Sequence, residues 1–413
     1  MKNNLLLILL LGFFYQPIKA QESLYPITNY LEKYPFIKIE HNKIDFYENR
    51  KAFNDIFKKL DDLVFEGKND LHIIQFGGSH IQADYWSGQF RYNLQRSHPG
   101  IKSGRGLVFP YKMAKTNHPY NYYTNYTGNW KYCKNLTKKN SCLLGIMDLN
   151  VNTTDANSEI SVFLRESYQK YIHHSVQIFH ETDSNYYEIS LRDTSNIKSR
   201  YVNYDEGYTY IEFKNPIDTL HLKLHKTNNS QKEFMLFGIN LINEKPGVVF
   251  NAVGNNGASV PSYLNADLLP QHLKSIKPDL IIFSMGINDA HGDDFSGTKY
   301  EADYDSLMNR ILKVLPDVKF ILTTNNDSYY RKKHPEKNAL EVRETMIRLA
   351  KKRNNVAVWD MFEIMGGLGS ITEWEKNGLS KTDKIHLTKE GYIIMGDLFY
   401  FAFMDAYKKY LRD

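Results

Sequence analysis

The feature that most restricts the fold is a recurring local pattern: a short apolar run, a glycine turn, then a helical stretch. It first occurs at residues 71–76, which run into Gly77-Gly78-Ser79-His80 and then into 81–95, where Ile81, Tyr85, Phe90 and Leu94 recur at helical spacing. It returns after Pro246. Residues 248–253 end at Gly254, and 268–276 read as a helix. Residues 279–285 form a nearly continuous apolar run ending at Gly286, as suits a parallel strand buried on both faces. Two more strands are expected at 318–323 and 356–360, and an amphipathic helix at 391–411. In such an α/β fold, Ser79, Gly254, Gly286 and Thr323 all stand at the carboxyl edge of one sheet. That edge is where open α/β sheets bind ligands.

Between the two stretches the grammar changes. Residues 111–245 show short alternating runs at 159–165, 175–180, 187–192, 209–214, 219–225 and 234–242. Turn clusters such as Asp183-Ser184-Asn185 and Asn228-Asn229-Ser230 separate them. Strands at this spacing predict an antiparallel sandwich inserted into the α/β unit. Residues 21–70 read as polar and helical, with Phe53, Ile56, Phe57, Leu60, Leu63 and Val64 on one face. The expected division is therefore a leader at 1–20, an α/β part at 21–110, the insert at 111–245, and the rest of the α/β unit at 246–413.

The leader is expected from a basic start, ten apolar or small residues at 5–14, and a small residue, Ala20, before the cut. It predicts export to the periplasm or extracellular space. No Cys follows the apolar core, so a lipid anchor is not expected, and no later stretch is apolar enough to span a bilayer. The formal charge of +5 drops to +3 without Lys2 and Lys19, too mild to argue for nucleic acid. Aromatic residues reach 14%, which fits either β-rich structure or a sugar-facing surface. The two cysteines, Cys133 and Cys142, are either paired, as export would allow, or two buried thiols. Alone they cannot complete a metal site.

The residues that could carry chemistry lie at the strand ends. Ser79 follows a strand and opens a helix, where free N–H groups stabilise negative charge. Asp383-Lys384-Ile385-His386 precedes the last helix, with Thr388 as its expected N-cap. Asp383 can fix the imidazole tautomer while the other ring nitrogen of His386 takes the Ser79 proton. Asn288, in Gly286-Ile287-Asn288-Asp289, and Gly257, in Gly254-Asn255-Asn256-Gly257, can supply donors to an oxyanion alongside the Ser79 N–H. Taken singly, each has an ordinary structural reading: an N-cap, a surface turn, a loop glycine at positive φ.

Together, Ser79, Gly257, Asn288 and His386 resemble the four ordered blocks of the GDSL/SGNH hydrolase family. The resemblance covers residues 70–100 and 247–410. It implies a flavodoxin-like three-layer fold with a five-stranded parallel sheet, a Ser79–His386–Asp383 triad, an oxyanion hole of Ser79, Gly257 and Asn288, and no cofactor or metal. One departure is Gly78, where the family usually has Asp; that Asp is not the triad acid. No G-x-S-x-G elbow surrounds Ser79, which argues against an α/β-hydrolase.

Within the superfamily, the leader, His80 and the large β insert look like peptidoglycan O-acetylesterases, whose insert resembles a carbohydrate module. The resemblance implies an acetylated glycan as partner and an acetyl-Ser79 intermediate. A base of this kind must be neutral, so activity is expected to fall on acidification. Residues 104–110 and 365–370 are expected to line the cleft. Alternative readings are an acetyl esterase for another polysaccharide such as xylan, a non-catalytic glycan-binding protein, and a polysaccharide O-acetyltransferase. A metal phosphoesterase built on Asp289, His291, Asp293 and Asp294 lacks a second ligand cluster.

Overall fold

The computed structural model describes residues 27–134, 136, 142–165, 170–291 and 294–413. The expected leader at 1–20 lies outside them. Five parallel strands form the central sheet: β1 (Asp70–Gly77), β2 (Gly247–Gly254), β3 (Leu280–Ser284), β4 (Lys319–Thr323) and β5 (Val356–Trp359). Their spatial order is β2-β1-β3-β4-β5, with a short antiparallel strand, Ile44–Asp45, added beside β5. This is the flavodoxin-like order. Its switch point lies between β1 and β3, so the crevice opens where β1 ends.

Helices cover both faces of the sheet. Apolar residues of α1 (Asn54–Glu66), α2 (Trp86–Arg96) and α6 (Lys389–Tyr410) pack in one core cluster with Leu71, Ile73, Ile282, Ile321 and Trp359 of the sheet. Those of α3 (Leu269–Ile276), α4 (Gly297–Leu312) and α5 (Asn338–Lys352) share the other cluster with Ile74, Phe76, Phe283, Phe320 and Val358. Strand residues alternate between these clusters because successive side chains point to opposite faces. Among the described residues, no helix is long and apolar enough to cross a membrane.

The β-rich region forms two antiparallel sheets, of seven and four strands. Thr219–His225 shows why: Leu220, Leu222 and Leu224 are buried while the residues between them are not. Val162 and Leu222 from the smaller sheet and Val176 and Leu236 from the larger meet in one sandwich core. That same apolar cluster continues into α3 and the central sheet. Cys133 and Cys142 are joined by a disulfide, with Cα atoms 6.2 Å apart, which settles the two cysteine readings.

Three local expectations are corrected. The antiparallel region begins before residue 111, because Gly106–Val108 is already a strand paired with Phe234–Ile242. Residues 104–110 are therefore buried within this seam; none of them borders the cavity at Gly78, His80 and Asn288, and Arg105 borders a different one with Arg91, Tyr120 and Tyr171. The helix expected over 81–95 is two helices, Ser79–Gln82 and α2, separated at Asp84, whose φ is +55°.

Asp84 explains that break. Its buried carboxylate accepts from Arg91 at 2.7 Å, Arg105 at 2.8 Å, Asn121 at 2.6 Å and Ser87 at 2.6 Å. It thereby ties α2 to the 104–110 seam and to the insert. Burial works against its charge, but the two guanidinium groups outweigh that and hold its pKa below the ordinary 3.8. A depressed pKa contributes stability above the unfolded value and loses it as pH falls through the folded one. Asp84→Ala leaves two buried cations without their partner. It is expected to cost about 3–5 kcal/mol in denaturant unfolding at neutral pH. The difference from wild type should narrow as pH drops below 4.

Candidate active site

The nucleophile turn is built by lack of space. A Cβ on Gly77 would lie 2.4 Å from Ile81 Cγ1 and 2.9 Å from the Ser284 carbonyl oxygen. On Gly254 it would lie 2.1 Å from the Gln82 backbone nitrogen. The ends of β1, β2 and β3 therefore close in around the start of the Ser79–Gln82 helix. Gly78 is its N-cap, and Ser79 is its first residue.

Ser79 Oγ lies 2.8 Å from His386 Nε2. His386 Nδ1 lies 2.9 Å from Asp383 Oδ2. The other oxygen, Asp383 Oδ1, accepts the backbone N–H groups of Ile385 and His386, both at 2.9 Å. This turn places Lys384 at φ +56°. Burial raises the Asp383 pKa, but those backbone donors and the His386 ring outweigh it, and the net shift is downward. The carboxylate stays ionised beside the imidazole and selects the tautomer with hydrogen on Nδ1. The bare Nε2 then faces the serine hydroxyl. Thr388 caps α6 as expected, its hydroxyl accepting the Gly391 N–H at 3.3 Å.

Of the expected oxyanion donors, Asn288 lies against the nucleophile turn, and Gly257 stands one residue before Ala258, whose carbonyl Asn288 binds. Asn288 stands just after β3, and its Nδ2 donates to the Ala258 carbonyl at 2.8 Å, leaving its second N–H. That Nδ2 is 3.0 Å from where a Gly78 Cβ would be. Gly257 holds φ at +87°, which explains glycine there. Neither its N–H nor that of Ser79 finds an acceptor among the described residues. Gly78, His80, Ala258, Asn288, Asn325 and Met361 are among the residues around a small cavity behind these groups.

His80 does more than follow the serine in sequence. Its ring stacks on His386 at 5.0 Å and 21° between planes. Its Nδ1 lies 2.8 Å from the Tyr392 hydroxyl, while Nε2 is buried without a partner among the described residues. Burial, and then the neighbouring His386, hold its pKa well below the usual imidazole range, so it is neutral. Two sequence expectations find other uses. Residues 365–370 are tied to Asp327, whose carboxylate accepts the backbone N–H groups of Gly369 and, at 2.9 Å, of Ile371. Asp289 accepts the Val260 N–H at 3.0 Å, and His291 Nε2 meets Ser328 Oγ at 3.1 Å. Asp293 lies outside the described residues.

A serine beside a tautomer-fixed imidazole, with the Asn288 amide close to the serine's turn, can perform nucleophilic acyl transfer. Comparison with known proteins agrees. Residues 237–394 match the family model described as GDSL-like Lipase/Acylhydrolase family, which spans Gly257, Asn288 and His386 but not Ser79. A solved structure described as a peptidoglycan O-acetylesterase in action superposes with TM-score 0.73 at 18% identity, covering 88% of this chain and 99% of that one. The likeness at that identity is one of fold. A carbohydrate esterase family 3 structure from Talaromyces cellulolyticus covers 40% of this chain and 73% of its own, at 15% identity and TM-score 0.31. A family two carbohydrate esterase from Cellvibrio japonicus covers 70% and 99%, at 12% identity and TM-score 0.29. No curated protein sequence matches the chain.

Two outcomes are expected. Asp383→Asn should lower kcat on a simple aryl acetate by on the order of 10³–10⁴, because the amide no longer enforces the productive tautomer. Gly78→Ala pushes the new methyl against the Asn288 amide. It should lower kcat by roughly tenfold with KM little changed, a fraction of the 10²–10³ that losing a whole oxyanion donor costs. Steady-state kinetics of both variants check this.

Proposed function

We propose, from the premise that the chain is an SGNH-type serine esterase, that it is exported and removes O-acetyl groups from a cell-wall polysaccharide, with peptidoglycan as the substrate. The observation that carries the chemistry is the continuous chain Ser79 Oγ–His386 Nε2 and His386 Nδ1–Asp383 Oδ2, at 2.8 and 2.9 Å. The overall superposition on a structure described as a peptidoglycan O-acetylesterase supports the substrate class. The Cys133–Cys142 disulfide supports an oxidising compartment, and with it export.

In this reading His386 Nε2 takes the Ser79 proton as Oγ attacks the acetyl carbonyl. The Ser79 and Gly257 N–H groups and the Asn288 amide hold the oxyanion. Collapse expels the sugar hydroxyl, which receives its proton from His386, and leaves acetyl-Ser79. Water, deprotonated by His386, then releases acetate and restores the serine. Asp383 keeps its charge throughout and stabilises the transient imidazolium.

Acetate release from O-acetylated peptidoglycan and from acetylated xylan tests this, with wild type and Ser79→Ala side by side. Release from peptidoglycan that Ser79→Ala abolishes is the expected result. Release from xylan alone keeps the mechanism and overturns the substrate. No release from either, with glycan binding retained, overturns the esterase reading in favour of a binding protein.

A further inference from the structure

The loop Gly254-Asn255-Asn256-Gly257 delivers one oxyanion donor. The α/β unit holds its start, where Gly254 pairs with Gly77 and the Asn255 N–H donates to the Gly77 carbonyl at 3.1 Å. The insert supplies the partners of both asparagine side chains. Tyr111 Oη, buried, donates to the Gly254 carbonyl at 2.8 Å. Asn255 Nδ2 donates to the Asp148 carbonyl at 2.9 Å and to its carboxylate at 3.0 Å. Asn256 Nδ2 donates to Thr116 Oγ1 at 3.1 Å and to Asn117 Oδ1 at 2.8 Å. Each residue leading to Gly257 is thus bound by a residue between 111 and 148.

Gln82 closes the arrangement. Its side chain is almost fully buried, at the end of the short helix that Ser79 begins. Its Oε1 accepts the Asn256 N–H at 2.8 Å. Its Nε2 donates to Thr116 Oγ1 at 2.9 Å and to the Asn117 carbonyl at 2.8 Å. One amide therefore locks the nucleophile helix, the Gly257 loop and the insert to one another. Gly257, at φ +87°, has no strand or helix of its own to fix it.

We infer that the inserted sandwich is a working part of the oxyanion-stabilising apparatus, with Gln82 as the positioning residue that couples Tyr111, Thr116, Asn117 and Asp148 to the Gly257 N–H. The inference rests on the esterase reading for its kinetic consequence, and not on the identity of the glycan. A loop free to drift loses transition-state stabilisation while substrate still binds, so the loss falls on kcat. A detachable carbohydrate module predicts the opposite, a rise in KM confined to polysaccharide.

The test compares wild type with Gln82→Met, Gln82→Glu and the insert-side double variant Thr116→Val/Asn117→Ala. Two readouts are taken: hydrolysis of 4-nitrophenyl acetate, which needs no glycan contact, and hydrogen exchange of the backbone amides at 254–258. Gln82→Met is expected to lower kcat by at least about tenfold, toward the 10²–10³ of a lost donor, with KM within about threefold. Gln82→Glu keeps the acceptor for Asn256 and should recover part of that loss. The double variant should shift both readouts in the same direction as Gln82→Met. Exchange at 254–258 should quicken by at least about tenfold in Gln82→Met, whatever the turnover. Unchanged kcat in a folded Gln82→Met, unchanged exchange, or a loss confined to KM on polysaccharide overturns the inference. Wild type that cleaves the aryl acetate but not peptidoglycan, with the Gln82 effect intact, overturns the substrate assignment alone. If wild type cleaves neither, the exchange result decides the inference.

Discussion

The site depends on a packing constraint at the ends of three parallel strands. Gly77 pairs with Gly254 on one side and Ser284 on the other, and neither glycine has room for a methyl group. Only because these strand ends close so tightly can the Ser79–Gln82 helix start directly above them. That fixes Ser79 at the switch point of the sheet, within reach of the loops after β2 and β3. The proposed donors on Gly257 and Asn288 are placed by the same closure, as each stands within four residues of a strand end. A substitution at Gly77 or Gly254 would disturb all of them together, because packed interiors absorb added volume poorly.

The second constraint is that the α/β unit and the sandwich do not have separate interiors. Apolar residues of α3, the central sheet and both antiparallel sheets belong to one cluster. The buried Asp84 network crosses the same junction through Arg105 and Asn121. His272 of α3 does so again, its Nδ1 accepting the Ile146 N–H at 3.1 Å. Domains joined only by a flexible linker share few contacts. Here the contacts are buried, apolar and polar together, so the sandwich cannot move freely relative to the nucleophile.

The sequence foretells the parts whose signal is local. The parallel strands are nearly continuous apolar runs, so their positions are legible to within a residue or two. Thr219–His225 and Phe234–Ile242 alternate clearly enough to be placed in full. The Asp383–His386 spacing is legible because a single turn closes it. Strands such as Ile197–Asn203, with little buried surface, are not. The break at Asp84 is hidden for a different reason: its cause, Arg105 and Asn121, lies far along the chain. Gln82, Asp148 and Tyr392 are silent in the same way. Each acts through a partner that only the folded topology brings near.

His80 and His386 show how neighbouring groups shape a proton-transferring base. In the proposed reaction His386 becomes an imidazolium, and a second charged ring 5.0 Å away would oppose that step. His80 is kept neutral by burial, and the Tyr392 hydroxyl fixes its Nδ1. It therefore offers the cation a polarisable face without a competing charge. The base is then constrained from three directions: by Asp383 through Nδ1, by Ser79 at Nε2, and by His80 across the ring plane. The last contact, across the face of the ring, restrains tilting out of its plane, which the two in-plane hydrogen bonds resist weakly. The histidine after the serine thus contributes to the geometry of the base rather than to the serine itself.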